Sequence, residues 1–330
     1  MSHKKRCLAL FSGGLDSMIA IKLMTLQNID VIALNINIGF GSKTDISELM
    51  KKRAKIAGAT LEIIDARDDY IKNILFNPKF GYGKNFNPCI DCHGFMFRVA
   101  MGLLDKYDAS FLVTGEVIGQ RPMSQRNDAM NSVNRLAGDN EGLILRPLCA
   151  KVMKPTKPEK EGWVDREKLL GINGRGREIQ LSLAQKFGWD DFEKPGGGCL
   201  LTDVNFTKKM RDFIKYDKLD VEDIDVLKNG RQLRLEDGAK LIIGRNQEEN
   251  ERIERIKSKK YIFVKAKDIP GPSSLINANA SQNDINLALK AILAFAKTDI
   301  NKKYDIIFGE KIVSSFPYKN RSDLQKYFIT

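Results

Sequence analysis

Residues 7–24, CLALFSGGLDSMIAIKLM, constrain the fold of this chain more than any other stretch. Residues 7–11 read as a buried strand, the Ser-Gly-Gly that follows as a tight loop, and the chain from about Ser17 as an apolar helix. Ser12, Gly13 and Gly14 then present backbone N–H groups at a helix N-terminus, which makes an anion site. The glycines let an anion approach with no Cβ in the way. Asp16 cannot neutralise phosphate, so it needs another task, and holding Mg²⁺ or orienting the ligand fits. The loop is not a Walker A loop, because no Gly-Lys-Ser/Thr follows, and it lacks the G-x-G-x-x-G of a dinucleotide fingerprint.

Strands and helices alternate after this start. DVIALNINIGF (30–40), TLEIIDA (60–66), SFLVTGEV (110–117) and GLILRPL (142–148) read as further strands. SELMKKRAKIAGA (47–59), HGFMFRVAMGLLDKY (93–107) and NSVNRLAG (131–138) read as helices. The second strand is almost continuously apolar, as buried parallel strands are. The pattern predicts an α/β fold with a doubly wound, mostly parallel five-stranded sheet, and ligand sites at the carboxyl ends of its strands. SGGLDS, the strand end at 35–39 and GEVIGQRPMSQ (115–125) all fall at such ends.

Three regions are expected: residues 1–150 as the α/β domain, 151–216 as a basic linker and helical region, and 217–330 as a smaller α+β appendage. In the second, AKVMKPTKPEKEGW is Lys/Pro-rich, Gly174 to Arg177 suit phosphate contacts, and residues 206–216 form a basic helix. The third has Asn229-Gly230 and Asp237-Gly238 turn signals and offers an RNA-binding surface. The formal charge of +12, from 54 Lys and Arg against 42 Asp and Glu, favours a polyanionic partner such as RNA. No apolar run is long enough to span a bilayer, and the basic N-terminus leads into too short an apolar stretch for a signal peptide, so a cytoplasmic protein is expected.

The five cysteines are then read as thiols, ligands or catalytic sulfurs rather than as disulfides. FNPCIDCHGF (86–95) places Cys89 and Cys92 just before a helix, and Cys199 sits far away in EKPGGGCLLTD (193–203). Four readings compete for this set: a structural zinc completed by His93 or Cys149, a redox dithiol, a three-cysteine [4Fe–4S] cluster with one open iron, and a persulfide-bearing nucleophile. Cys7 alternates with core positions and is read as buried. His93 is expected to hydrogen-bond locally.

Ser-Gly-Gly-Leu-Asp-Ser resembles the SGGxDS PP-loop of the ATP pyrophosphatase superfamily, whose members split ATP between the α and β phosphates and transfer AMP to a substrate oxygen. By that resemblance Ser12, Gly13, Gly14, Asp16 and Ser17 bind ATP. Residues 6–150 resemble the PP-loop tRNA thiolation enzymes, including the 2-thiouridylases. Where those enzymes carry Asn-Pro-x-x-x-Cys-Asn this chain has Asn87, Pro88, Cys92 and His93, with Cys89 as an additional cysteine. A thiouridylase-like group shares GEVxGQRPMSQ, LRPL and GGCLLTD, here at 115–125, 145–148 and 197–203, and also LIIGRN (241–246) and GPSS (271–274).

The resemblance implies an ATP-dependent tRNA sulfurtransferase that adenylates a uracil carbonyl oxygen and replaces it with sulfur. It implies that Asn35, Gly115, Gln120 and Arg121 serve the nucleotide beside the loop, and that Asp16 holds Mg²⁺. Cys89, Cys92 and Cys199 would be the catalytic sulfur side, holding a [4Fe–4S] cluster, with tRNA as partner and a sulfur carrier or cysteine desulfurase as donor. Two other classes compete. A PP-loop ligase or amidase acting on a small molecule predicts zinc on the cysteines and no tRNA affinity. A non-catalytic RNA-binding protein predicts no ATP cleavage.

Overall fold

The computed structural model describes residues 5–192 and 198–329, which divide into two compact units, Met1–Cys199 and Leu200–Thr330. Residues 193–197, which hold part of the glycine run before Cys199, lie outside the described residues. Among the described residues no helix is long and apolar enough to cross a membrane.

In the first unit β1 (Arg6–Leu10), α1 (Leu15–Thr25), β2 (Asp30–Asn37), α2 (Ser47–Ala57) and β3 (Thr60–Asp65) follow one another, then a short α3 (Arg67–Tyr70). The chain continues through α4 (Cys89–Met101), β4 (Phe111–Thr114), α5 (Asn127–Ala137) and β5 (Ile144–Leu145). The sheet order is β3-β2-β1-β4-β5, with all four neighbouring pairs parallel, so the expected five-stranded doubly wound sheet is present. Its centre is apolar on both faces: Cys7, Leu8 and Ala9 of β1 are buried, and α1 buries residues all round its circumference. The chain runs outward from β1 to β3, then returns to the other side of β1 at β4. That reversal opens a crevice beyond the carboxyl ends of β1 and β4, the usual ligand position in such sheets.

Several boundaries differ from the sequence reading, each for a local reason. Strand β4 ends at Thr114, because Gly115 leaves the sheet to press against the backbone of Asp16. Helix α4 begins at Cys89, so Cys89 and Cys92 lie within its first turn and not before it. Pro88 is the residue that starts the helix: its carbonyl accepts the first helical bond, from Cys92 N at 2.8 Å, and a proline has no N–H to leave unpaired there. Beyond β5, α6 (Lys157–Lys160) opens on a Thr156/Glu159 capping box, and α7 (Glu178–Lys186) follows. Val164, Leu169, Ile172, Ala184 and Trp189 belong to the same buried cluster as β1 and α1.

The second unit starts with α8 (Val204–Tyr216) and α9 (Val221–Lys228), capped by Asp203 and Asp220. Strands β6 (Arg231–Arg234), β7 (Lys240–Ile243), β8 (Tyr261–Ala266), β9 (Ser274–Asn277), β10 (Tyr304–Phe308) and β11 (Lys311–Ser315) form one antiparallel sheet in the order β11-β10-β8-β9-β7-β6. Helix α10 (Gln247–Arg255) lies between β7 and β8 in the chain. Helix α11 (Gln282–Ala294) contributes Leu289, Ile292 and Leu293 to a core with Leu233, Leu241, Val264, Ile276 and Ile306 of the sheet. Asp237-Gly238 makes the β6–β7 hairpin turn, whereas Asn229-Gly230 joins α9 to β6.

Candidate active site

The turn from β1 into α1 has the geometry its glycines suggest. Gly13 has φ +80, a region closed to most side chains, and Gly14 occupies the N-cap of α1 with no side chain capping the helix. The helix therefore opens with unclaimed N–H groups and the positive end of its dipole. Ser17 Oγ donates to Gly14 O at 2.7 Å, and Ser12 Oγ accepts a long bond from Gly14 N at 3.4 Å. Asn35 donates to Phe11 O at 2.8 Å, so it braces the end of β1. Arg53, buried in α2, donates to Gly13 O at 3.1 Å and pairs with Asp191 at 3.0 Å, fixing the loop from below.

Residues 115–125 form the other wall. A Cβ on Gly115 would lie 2.5 Å from the carbonyl carbon of Asp16 and 2.6 Å from Ser17 N, so two backbones touch there. Gln120 Nε2 donates to Asp16 Oδ2 at 2.9 Å. Arg177, just before α7, brings its guanidinium to 3.7 Å from Asp16 Oδ1. Arg121 is exposed on the same loop. Asp16 Oδ1, Gln120 Oε1, Arg177 Nε and both amide atoms of Gln180 are buried without a hydrogen-bond partner among the described residues. Each such orphan costs about 1–3 kcal/mol. Polar atoms left open around a free helix N-terminus are what a polyphosphate with its cation would satisfy. Gly115→Ala has no room for its methyl group, so we expect about 1–3 kcal/mol of lost stability and weakened ATP binding, read by thermal melts with and without ATP.

The same loop also reaches the cysteines. Glu116 is buried, accepts from Arg146 Nε at 2.9 Å and lies 2.9 Å from His93 Nδ1; Arg146 also donates to Asn134. His93 is one helical turn beyond Cys89. Burial works against its charge, but hydrogen bonds to Cys89 and Glu116 outweigh this and push it up to about 10. Burial likewise pushes the Cys89 thiol up, yet the hydrogen bond and charge of His93, with help from Ser124 and Asn87, bring the net shift down. Cys89 is thus readier to ionise than Cys7, Cys92 or Cys149, all of which are raised. Cys92 is buried deeper; desolvation first, then the neighbouring Cys199, raise it, while Tyr70 bonds to it and partly offsets them. Burial raises Tyr70 too, with smaller contributions from Cys92, Cys199 and Cys89.

The structure therefore places Cys89 and Cys92 in the first turn of α4, with Cys199 close enough to act electrostatically on Cys92, and gathers Asp16, Gly115 and Gln120 at the glycine loop. Cys7 is buried in β1, and Cys149 donates to the Glu116 carbonyl at 3.4 Å. Among the described residues no three His, Cys, Asp or Glu side chains gather closely enough to hold one metal ion. The sequence alone does not assign His93, Glu116, Arg146, Arg53 or Arg177 to the site. Glu116 and Arg146 stand inside GEV and LRPL, and His93 follows Cys89 at helical spacing, so three of the five carry a signal.

The second unit carries a basic groove. Lys208, Arg211 and Lys215 share one face of α8, and with Arg234 and Lys326 they line a cavity of about 440 Å³. Arg234 pairs with Asp212 at 2.5 Å and lies over the ring of Tyr216. Beneath it burial pushes Lys240 down to about 8, although Asp212 is 3.2 Å away.

Residues 5–80 match the family model described as the Arginosuccinate synthase N-terminal HUP domain, and residues 230–320 match the NFACT protein RNA binding domain. The first unit is thus similar in part to HUP domains and to the tRNA-specific 2-thiouridylases. Its relatives include the tRNA-specific 2-thiouridylase MnmA 2 of Fusobacterium nucleatum, 28% identical over 114 residues, covering 34% of this chain and 33% of that protein. The 2-thiouridylase MnmA of Petrotoga mobilis is 29% identical over 135 residues, covering 36% of each. Argininosuccinate synthase of Saccharomyces cerevisiae is 36% identical over 76 residues, covering 23% of this chain and 17% of that enzyme. The chain thus spans about a third of the length of the 2-thiouridylases it matches.

Proposed function

We propose that this PP-loop protein is an ATP-dependent tRNA sulfurtransferase, which adenylates a uracil carbonyl oxygen and replaces it with sulfur. One observation carries the reading: residues 115–125 touch the phosphate loop through Gly115 and Gln120 and the cysteine helix through Glu116 and Ser124. Nucleotide and sulfur chemistry then share one wall. The match to argininosuccinate synthases ends at residue 80, before Cys89, so the small-molecule ligase reading shares only the nucleotide half.

In the first step the uracil oxygen attacks the α-phosphorus and pyrophosphate departs. The α1 N-terminus and Arg177 would take up charge on the pyrophosphate, and Asp16 would hold Mg²⁺ against it. In the second, sulfur attacks the activated carbon and AMP leaves with the former carbonyl oxygen. On this reading Cys89, Cys92 and Cys199 would be the thiolates that hold a [4Fe–4S] cluster, one on each of three irons. Such a cluster, when bound, would supply an open iron for sulfide from a sulfur carrier or cysteine desulfurase. His93, held by Glu116, favours the ionised form of Cys89.

The RNA would be gripped by the second unit. Charge reversal at Lys208, Arg211 and Lys215 should weaken tRNA binding and reduce its salt slope by about one for each phosphate no longer neutralised; filter binding across a KCl series measures both. The reaction itself is tested by incubating the anaerobically purified protein with ATP, Mg²⁺, sulfide and unmodified tRNA, then analysing nucleosides by mass spectrometry. A thionucleoside that requires ATP supports the reading. ATP cleavage driven by tRNA without any thionucleoside would sink it.

A further inference from the structure

Residues 76–87 form a loop that runs directly into Cys89, and it carries three aromatic rings in series. Tyr82 lies 4.7 Å from Phe86 at 36°, and Phe76 meets Phe86 edge-on at 5.9 Å. Phe76 and Tyr82 keep 42% and 41% of their surface in solvent. Rings of this size are normally buried, and a contiguous exposed set marks a binding surface. The loop is also held firmly. Asp91 of α4, one residue before Cys92, accepts from the backbone N–H groups of Lys79 at 2.8 Å and Phe80 at 2.9 Å. Gly83 N donates to Asn87 O at 2.8 Å, and Tyr82 Oη donates to Leu75 O at 2.7 Å.

The rings adjoin the wall of the active site. Met123, exposed in the 115–125 loop, packs so closely over Gly83 that a Cβ there would lie 3.0 Å from its Cε. Around them Lys79, Lys84 and Arg121 are exposed, and their side chains have no ion-pair partner among the described residues. An apolar protein surface would match the rings but would leave these cations idle. A nucleic-acid strand matches both, with bases on the rings and phosphates on the cations.

We propose that Phe76, Phe86 and Tyr82 are the platform on which an unpaired RNA base next to the target nucleotide stacks, so that the target itself falls between the 115–125 loop and Cys89. The inference rests on the sulfurtransferase reading. Stacking on the platform would fix the strand before chemistry and would make the flanking base a determinant of which uridine is chosen. Two kinds of substitution separate a ring's π face from its structural role. Tyr82→Leu and Phe76→Leu keep apolar bulk without a π face; Tyr82→Phe keeps the ring and removes the bond to Leu75 O.

The experiment measures binding of the full chain to a short single-stranded RNA by fluorescence anisotropy, alongside binding of ATP alone. Each leucine variant should bind RNA about 10-fold more weakly, with ATP binding unchanged, while Tyr82→Phe should bind as the wild type does. Wild-type affinity in both leucine variants would overturn the proposal, as would equal loss in Tyr82→Phe and Tyr82→Leu, which would assign the effect to the hydrogen bond. A wild-type protein that binds neither this RNA nor tRNA would overturn the proposal together with the reading it rests on, and that control tells the two failures apart.

Discussion

Asp16→Ala should lower ATP–pyrophosphate exchange by about 10²–10³-fold, the range seen when one preorganised group facing transition-state charge is removed, and thiolation should fall with it. The carboxylate has one oxygen committed to Gln120 and the other buried with no hydrogen-bond partner, 3.7 Å from Arg177. A group placed this way has two possible tasks: bracing Gln120, or presenting a charge to a cation on the departing pyrophosphate. Asp16→Asn separates them, because the amide oxygen still accepts from Gln120 but carries no charge. If charge is the task, the asparagine variant is as inactive as the alanine one, and excess Mg²⁺ restores little. Near-normal exchange in Asp16→Asn would reduce Asp16 to a brace and remove it from the chemistry. The melting temperature should fall modestly in Asp16→Ala, which leaves Gln120 Nε2 without its acceptor, and less in Asp16→Asn, which keeps that bond.

How much of this is legible in the sequence depends on how local each signal is. The glycine loop, the five-stranded sheet and the burial of Cys7 follow from short-range patterns: a strand–glycine–helix junction, continuous apolar strands and alternation. The sequence places the start of α4 too late because its first turn, CIDC, carries polar and catalytic residue types that hide helical periodicity. The sheet order of the second unit is not legible, since it depends on pairings such as β7 with β9 and β8 with β10 that no local propensity encodes. The same holds for Arg53. In SELMKKRAKIAGA it is one cation among several, and only the fold shows that it alone turns inward to the loop carbonyl while Lys51 and Lys52 stay in solvent. Arg177 reads in sequence only as a phosphate-contact residue in a Gly-Arg run, yet it is the one of that run that meets Asp16.

Alanine at Cys89, Cys92 or Cys199 should abolish thiolation while leaving ATP–pyrophosphate exchange near wild type, because the proposed mechanism gives the nucleotide to the loop and not to the sulfurs. The dissociation is the point: Asp16 variants lose both activities, cysteine variants only the second. Cys7→Ala serves as the control, since Cys7 lies at the opposite end of β1 from the site, and it should keep both activities at a small cost in stability. Iron and acid-labile sulfide measured in the same preparations then decide what the sulfurs hold. If a cluster is resident, each of the three substitutions lowers iron and thiolation together. If thiolation disappears while no preparation, wild type included, contains iron, the chemistry belongs to a persulfide. Cys89 is then the residue to test by alkylation, since His93, held by Glu116, favours its thiolate and should make it react faster than Cys92. Retained thiolation in any one of the three alanine variants would remove that cysteine from the site.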